Sequence, residues 1–244
     1  MHPHDEGHEF RYATTLSHCW GSPKLSHTSR LTSDSVEPLT TGIDISSLDH
    51  VARDAVSTAR LLGLSLLWVD SLCIFQDSHD DWLHEAPLMS YIYGGAVINI
   101  AASVAAHRDR SCFPPRDDTL SLQMPLMSRA WVVQELLLAP RLLHLCGSQL
   151  FWECSELNAC ETFPDGLPPN NPARACSAEK KIRVERRHGK LWTRIVAQYT
   201  QSNLTFPTDK LVAISGVARI IEHALDDNYC AGLWRKSLVT DLSW

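Results

Sequence analysis

The amino-acid sequence predicts an α/β fold built around a mostly parallel β-sheet. Two short, mainly apolar runs, at residues 64–69 and 96–101, each follow a segment with helical periodicity. Runs of this kind are typical of strands buried on both faces, as in a parallel sheet covered by helices. A third observation is the order helix, strand, helix, strand, which indicates βαβ units with right-handed crossovers and therefore helices on both faces.

The N-terminal half supplies the first elements of this sheet. A short strand is predicted at residues 11–16, and a Ser-, Thr- and Pro-rich stretch at 22–49 is predicted to be a long surface loop. Residues 50–62 carry apolar side chains at helical spacing, and Gly63 ends that helix. Another helix is predicted at 82–93, where a polar capping segment precedes it and two glycines follow it.

The C-terminal half is predicted to contain one β-hairpin and several helices. After an irregular stretch comes a helix at 129–138, and then two strands, at 141–146 and 149–154, separated by Gly-Ser as in a hairpin. Three further helices are predicted at 180–201, 208–225 and 228–238.

The domain organisation follows from these elements. We expect an α/β core at 1–160, a Pro-rich linker or loop at 161–180, and a helical segment at 181–244 that packs on the core.

The length and charge of the chain limit the kinds of function that it can have. A chain of 244 residues can bury a substantial core in one large domain. Its formal net charge is −6 and it has no polybasic run, so we expect no nucleic-acid partner. No window holds about 18 consecutive apolar residues, which argues against a membrane span. The polar N-terminus lacks the order of a secretory signal, so a cytoplasmic location is expected.

The cysteines are expected to be reduced thiols, because a chain of this length with no export signal needs no disulfides. There are eight: Cys19, Cys73, Cys112, Cys146, Cys154, Cys160, Cys176 and Cys230. Cys154 and Cys160 lie near His144 and Cys146, but their spacing fits no established zinc pattern, and no metal site is predicted.

One candidate site lies in the segment after the second strand. Asp70 follows a buried strand and is therefore expected at the carboxyl edge of the sheet, where open parallel sheets bind ligands. It is either an acid or base with a raised pKa, or an Asx cap of the following turn. Cys73 is either a nucleophile partnered by His18 or a buried, inert thiol. Gln76 lacks acid-base chemistry and is a candidate for orienting a substrate.

A second set of candidates lies on the helix that begins near residue 129. Arg129 is a candidate anion clamp, and Glu135 is a candidate general base. Alternatively, Arg129 forms a buried ion pair with Asp70 or Glu135 that stabilises the fold. Ser17 and His18 cannot form a catalytic dyad with each other, because adjacent strand residues point to opposite faces of a sheet.

Three ordered segments resemble one known family. They are residues 16–21 (Leu-Ser-His-Cys-Trp-Gly), 67–77 (Leu-Trp-Val-Asp-Ser-Leu-Cys-Ile-Phe-Gln-Asp) and 129–135 (Arg-Ala-Trp-Val-Val-Gln-Glu). These blocks are similar to the signature of the fungal heterokaryon-incompatibility (HET) domain. Weaker similarity continues through residues 149–154 and 209–216 toward the C-terminus.

The resemblance implies a role in fungal allorecognition and programmed cell death. HET domains have been likened to TIR domains, which have a flavodoxin-like sheet and some of which cleave NAD with a catalytic Glu. The resemblance therefore implies a flavodoxin/TIR-like sheet, no bound cofactor, and NAD as a candidate substrate. It also implies that the chain associates with itself or with other death-signalling proteins.

The candidate site residues fall into two groups. The catalytic candidates are His18, Asp70, Cys73 and Glu135. The substrate-binding candidates are Ser17, Trp20, Gly21, Gln76, Arg129, Trp131 and Gln134.

Two other functions remain open on the sequence alone. The segment between Arg116 and Arg129 is shorter than is usual in the family, which favours a small-molecule enzyme of fungal secondary metabolism built on a shortened scaffold. A non-catalytic interaction domain is the other alternative, in which the same polar residues form a buried network.

Overall fold

The computed structural model describes residues 13–21, 30–114, 124–169 and 188–242. Within them, six strands form one sheet in the order β2-β1-β3-β4-β5-β6, and a separate two-stranded hairpin pairs β7 with β8. The strands are β1 Ala13–Ser17, β2 Leu66–Trp68, β3 Ile98–Ala101, β4 Arg141–Leu145, β5 Leu150–Cys154, β6 Asn158–Cys160, β7 Tyr229–Cys230 and β8 Leu233–Trp234.

The sheet is mostly parallel, as predicted. β1 pairs in parallel with β2 on one side and with β3 on the other, and β3 pairs in parallel with β4. The register places Thr15 opposite Trp68 and Ser17 opposite Ala101. β4 and β5 form the predicted antiparallel hairpin, and β6 extends it by one antiparallel strand that the sequence did not predict.

Helices connect these strands and flank the sheet. They are α1 Val36–Thr41, α2 His50–Leu61, α3 Asp70–Cys73, α4 His79–Glu85, α5 Met89–Gly95, α6 Ala130–Leu138, α7 His188–Thr200, α8 Val212–Leu225 and α9 Leu238–Asp241. The predictions for α2 and α6 are confirmed to within a residue. Asp49 caps α2 by accepting a hydrogen bond from the backbone N–H of Ala52 at 2.8 Å.

Two N-terminal predictions need correction. The helix predicted at 82–93 begins earlier, at His79, because Ser78 accepts a hydrogen bond from the backbone N–H of Asp81. It is interrupted by a 3₁₀ turn at Ala86–Leu88, where Pro87 cannot donate a helical hydrogen bond. The stretch predicted as loop at 22–49 contains α1 and a 3₁₀ turn, while residues 22–29 lie outside the described residues.

The C-terminal prediction is right for two helices and wrong for the third. α7 and α8 fall within the predicted segments, although residues 180–187 lie outside the described part of the chain. Residues 228–238, predicted as a helix, instead form the β7–β8 hairpin. Its two turn residues, Ala231 and Gly232, both have positive φ, as the tightest hairpin turns require.

Two apolar clusters cover opposite faces of the sheet. On one face, α2 packs its buried residues, such as Val51 and Ala55, against Leu16 and Ile100. On the other, α5 and α6 share a cluster with α7 and α8, in which Ile195 and other C-terminal side chains are fully buried. The predicted boundaries at 160 and 180 stay predictions.

Three further findings concern chemistry that the sequence raised. The seven cysteines in the described residues are free thiols, and Cys176 lies outside them. Among the described residues, no group of three or more His, Cys, Asp or Glu side chains is arranged to hold a metal ion. No helix in the described part of the chain is long and apolar enough to cross a membrane.

Candidate functional site

The carboxyl ends of the parallel strands bring the first two signature segments together. β1 lies between β2 and β3, so the chain leaves the sheet in different directions on the two sides of β1. Ligands of open parallel sheets bind in the crevice that such a change of direction creates. The loop at residues 18–21 follows β1 directly, and Asp70 follows β2 after one intervening residue.

Asp70 is held by hydrogen bonds from two directions. The indole Nε1–H of Trp20 donates to both carboxylate oxygens, at 3.2 and 3.0 Å, and the backbone N–H of Ser71 donates to Oδ1 at 2.7 Å. The residue is 9% exposed. Its carboxylate is thus fixed in position but retains a small accessible surface.

His18 lies beside Asp70 in a fully buried position. Its Nδ1 is 3.8 Å from Oδ1 of Asp70 and has no hydrogen-bond partner. Burial lowers the pKa of His18 below 6.5, because the desolvation penalty on the cation exceeds the attraction of Asp70 and is reinforced by the charge of Arg129. His18 is therefore neutral at pH 7.

Glu135 lies on α6, and the pKa of its carboxyl group is suited to acid-base chemistry at neutral pH. It is 2% exposed, and burial raises its pKa from 4.5 to about 7. The cation of Arg129 lowers this pKa, Asp70 raises it, and hydrogen bonding with the hydroxyls of Ser17 and Tyr93 lowers it. A carboxyl group with a pKa near 7 can both hold and release a proton at neutral pH.

Arg129 links α6 to the loop after β1. Its Nη1 donates to the carbonyl oxygen of His18. The start of α6 is fixed by the backbone of Asn203, which donates to Ser128 O at 2.6 Å and accepts from the N–H of Ala130 at 3.0 Å. Arg129 is therefore positioned between His18 and Glu135, and its charge acts on the pKa of both.

Ser17 is buried within a polar network inside the sheet. Its hydroxyl accepts a hydrogen bond from Asn99 Nδ2 at 2.9 Å, and Asn99 Oδ1 accepts from Thr15 Oγ1 at 3.1 Å. All three side chains are fully buried. The Ser17 hydroxyl also hydrogen-bonds to the candidate acid Glu135 and does not face solvent.

Cys73 is the last residue of α3, and Gln76 lies on the loop that follows this helix. Cys73 has an exposed surface, but desolvation of its thiol by the surrounding protein raises the pKa to about 11, so the thiol is protonated at pH 7. Gln76 donates from Nε2 to the carbonyl oxygens of Ile74 at 2.7 Å and Asp70 at 3.2 Å. Gln76 thus holds the loop.

Two candidates on α6 turn toward the C-terminal helices. Gln134 Oε1 accepts a hydrogen bond from the backbone N–H of Gly216 at 2.8 Å. Trp131 donates from Nε1 to Asp209 at 3.3 Å and packs edge-on against Trp82. Neither side chain is directed by these contacts toward Asp70.

Gly21 ends the loop after β1 with a φ of +72°. A Cβ atom there would lie 3.1 Å from Nδ1 of His107. Both the backbone conformation and the close approach of His107 explain why glycine occupies this position.

Sequence reasoning missed Tyr93 and Arg108. The Tyr93 hydroxyl donates to Leu16 O at 3.2 Å, and Arg108 Nε donates to Trp20 O at 2.6 Å. Both are almost completely buried. Arg108 lies on an irregular segment. Its burial identifies it as a residue of the site, and the sequence does not reveal that burial.

A second buried polar cluster lies where β3 and β4 end. The Ser103 hydroxyl is 3.1 Å from His144 Nδ1, and His144 Nε2 is 3.3 Å from Glu153 Oε1. Ser103 and His144 are fully buried. The order hydroxyl, imidazole, carboxylate is that of a nucleophile, its base and an orienting acid, but the serine has no access to solvent.

An apolar depression of about 370 Å³ lies apart from the candidate acids, on the antiparallel part of the sheet. Its lining includes Leu143, Phe151, Trp152, Leu157 and Cys160. It is an open surface feature, and none of Asp70, Glu135 or Arg129 contributes to it.

The comparisons with known proteins agree with the first two sequence blocks. The family model described as heterokaryon incompatibility protein (HET) matches residues 12–121. The matched segment includes the loop after β1 and Asp70 and ends before Arg129. No curated protein and no solved structure matches the chain.

Proposed function

Because this chain is a member of the heterokaryon incompatibility family through residues 12–121, we propose that it acts in fungal allorecognition and programmed cell death by cleaving NAD. The observation that carries the proposal is the pair of carboxyl groups, Asp70 and Glu135. They approach the same carboxyl edge of the sheet, and the pKa of Glu135 is about 7. Enzymes that hydrolyse glycosidic bonds usually use two carboxyl groups that lie in different environments.

The proposed reaction is hydrolysis of the bond between nicotinamide and ribose. The C1′–N bond breaks, and nicotinamide leaves as a neutral base with the bonding electron pair. A water oxygen forms the new bond to C1′ and loses one proton. The products are nicotinamide, ADP-ribose and H⁺, so no oxidant or metal is needed.

Asp70 and Glu135 have distinct roles in this proposal. Asp70, which is fixed by Trp20 and Ser71 and retains some solvent contact, stabilises the positive charge that develops on the ribose. Glu135 in its ionised form accepts the proton of the attacking water. Arg129 and Trp20 bind the substrate beside them, and His18, being neutral, adds no cationic charge near the developing cation.

The strand order supports a flavodoxin/TIR-like assignment within this proposal. The parallel part of the sheet has the order β2-β1-β3-β4, which is the order of the first strands in flavodoxin-like sheets. Fold similarity alone carries no activity, so the proposal depends on the two acids.

The test is NAD consumption by the purified protein. Wild type should convert NAD to nicotinamide and ADP-ribose, and Asp70→Asn and Glu135→Gln should each lower the rate by about 100-fold or more.

Asp54→Asn is the matched control, because Asp54 is another hydrogen-bonded carboxylate, accepting from Ser111 and Cys112, away from these acids. Circular dichroism establishes that each variant is folded. Equal rates of NAD cleavage by wild type and by a folded Glu135→Gln variant would contradict the assignment of Glu135 as the base.

A non-catalytic interaction domain is the second candidate, and burial favours it. Glu135, Ser17 and His18 are at most 2% exposed, and their partners are other protein groups. For such a domain the network stabilises the fold, and the chain works by associating with itself or with other death-signalling proteins. This function predicts no NAD turnover by the folded wild type, and variants at Glu135 that change stability alone.

A further inference from the structure

Arg30 is held against the face of Trp20 at the edge of the candidate site. Its guanidinium carbon lies 5.8 Å from the centre of the indole ring. The backbone around Arg30 is anchored by hydrogen bonds from Ser35 Oγ to Arg30 O at 2.6 Å and from Leu31 N–H to Ser71 O at 2.8 Å. The arginine and the indole therefore form a fixed unit next to Asp70.

In the part of the chain that the structure describes, no acid forms an ion pair with Arg30. Its Nε atom is buried and has no hydrogen-bond partner. Among the described residues, no carboxylate oxygen lies within 4.0 Å of its guanidinium. A buried donor without a partner is unfavourable, and a bound acceptor would relieve that cost.

Two more arginines surround the same loop. Arg108 donates to the carbonyl oxygen of Trp20, and Arg129 donates to that of His18. Burial lowers the pKa of Arg108, and the charges of Arg30 and Arg129 lower it further, so each of these two cations lies close enough to Arg108 to repel it.

Among the described residues, the acids near this loop are Asp49, Asp70 and Glu135. Asp49 caps α2, and Asp70 accepts from Trp20 and Ser71. The three arginine charges therefore exceed the charges of the two aspartates and of Glu135, whose raised pKa leaves it partly protonated at pH 7. This balance leaves an excess of positive charge at the carboxyl end of β1, which attracts anionic ligands.

We propose that Arg30, supported by Trp20 and Arg108, is a subsite for the pyrophosphate group of a nucleotide. The guanidinium fork matches the oxygens of a phosphate, and the stacked indole holds the fork in place. The inference rests on the proposed function in one respect, the identification of the nucleotide as NAD. Arg30 binds and positions the substrate, while bond cleavage belongs to Asp70 and Glu135.

Binding of ADP-ribose, measured by isothermal titration calorimetry, tests the subsite without any need for turnover. Arg30→Gln should weaken binding by about tenfold or more, the loss of one charge-assisted contact. Arg219→Gln is the matched control, because Arg219 stacks on Tyr91 at 5.4 Å on another surface, and it should bind ADP-ribose like wild type.

Inorganic pyrophosphate, titrated in parallel, separates a free anion from a nucleotide. Tighter binding of ADP-ribose than of pyrophosphate, with both weakened in Arg30→Gln, supports the nucleotide subsite. Equal affinity for the two ligands would overturn the nucleotide identity, since the nucleoside would then contribute nothing. Unchanged affinity in a folded Arg30→Gln, or no binding of either ligand to wild type, would overturn the subsite itself.

The same measurements distinguish this inference from the proposed function. Binding that depends on Arg30 without any cleavage of NAD contradicts the proposed reaction and leaves the subsite supported. Cleavage of NAD by wild type, with the same KM in Arg30→Gln, supports the reaction and overturns the subsite.

Discussion

The indole Nε1 of Trp20 lies 3.0 Å from Oδ2 of Asp70, and this hydrogen bond joins the loop after β1 to the residue that begins α3. Trp20 and Asp70 are 50 residues apart in sequence, so the contact is a tertiary one between two signature segments. Since Trp20 also carries Arg30 on its face and gives its carbonyl oxygen to Arg108, it connects the acidic and basic parts of the site.

The first prediction concerns that bond. Trp20→Phe keeps an aromatic ring but removes the N–H that donates to Asp70, so we expect the free energy of unfolding to fall by about 1.5 kcal/mol. Chemical denaturation followed by circular dichroism measures the change. Trp82→Phe, at a ring that packs on His79 and Trp131, is the control and should lose less. Equal losses would mean that ring packing, and not the bond to Asp70, sets the stability.

The second prediction follows from the pKa of Glu135, which is raised from 4.5 to about 7. Between these pH values the unfolded chain loses this proton while the folded chain keeps it. The contribution of Glu135 to stability therefore falls as pH rises from 4.5 to 7 and is constant above that. The total loss is up to about 3 kcal/mol.

Glu135→Gln removes this titration. Relative to wild type, the variant should gain up to about 3 kcal/mol in unfolding free energy between pH 4.5 and pH 8. Denaturant titrations of both proteins at these two pH values measure the difference. If the difference between the two proteins is the same at both pH values, Glu135 does not titrate in this range.

The third prediction concerns the close contact between α6 and α8. A Cβ atom on Gly216 would lie 2.3 Å from Cβ of Ser90 and 2.6 Å from Oε1 of Gln134. We therefore expect Gly216→Ala to destabilise the fold by about 1–3 kcal/mol through overpacking. The measurement is the thermal or denaturant midpoint.

Gly94→Ala is the control for this substitution. Gly94 also lies in a helix, α5, but a Cβ atom added there would have no neighbour within 4 Å, so the change should be neutral or slightly stabilising. A Gly216→Ala variant as stable as Gly94→Ala would contradict the packing described for α6 and α8.

The fourth prediction concerns the buried cluster of Ser103, His144 and Glu153. A double-mutant cycle with Ser103→Ala and His144→Phe should give a coupling of about 1 kcal/mol, because the two side chains share a 3.1 Å contact. Additive effects of the two substitutions on the unfolding free energy would show that this contact contributes nothing measurable.

Much of the parallel sheet could be predicted from the sequence, because β2 and β3 lie in mainly apolar runs whose alternation with helices allows few arrangements. Asp70 could be placed at the carboxyl edge for the same reason. The β7–β8 hairpin could not be predicted. Its two strands have only two residues each, too few to show a period, and one of its two turn positions, Ala231, has a positive φ that is unusual for alanine.

The site was predictable in its residue types but less so in its contacts. Helical spacing placed Arg129, Trp131, Gln134 and Glu135 on one helix, and the structure divides them between two directions. Arg129 contacts the loop after β1 and Glu135 contacts Ser17 at the end of β1. Trp131 and Gln134 instead contact Asp209 and Gly216. That division depends on where α8 packs, which is a tertiary property. The involvement of Tyr93 and Arg108 was hidden for the same reason.

The most direct test of NAD cleavage is the release of nicotinamide by concentrated, folded wild-type protein, measured by chromatography beside folded Asp70→Asn. We expect nicotinamide and ADP-ribose in equal amounts from wild type and almost none from the variant. Intact NAD after prolonged incubation with wild type would contradict the proposed function, and the buried polar network would then be the framework of an interaction domain.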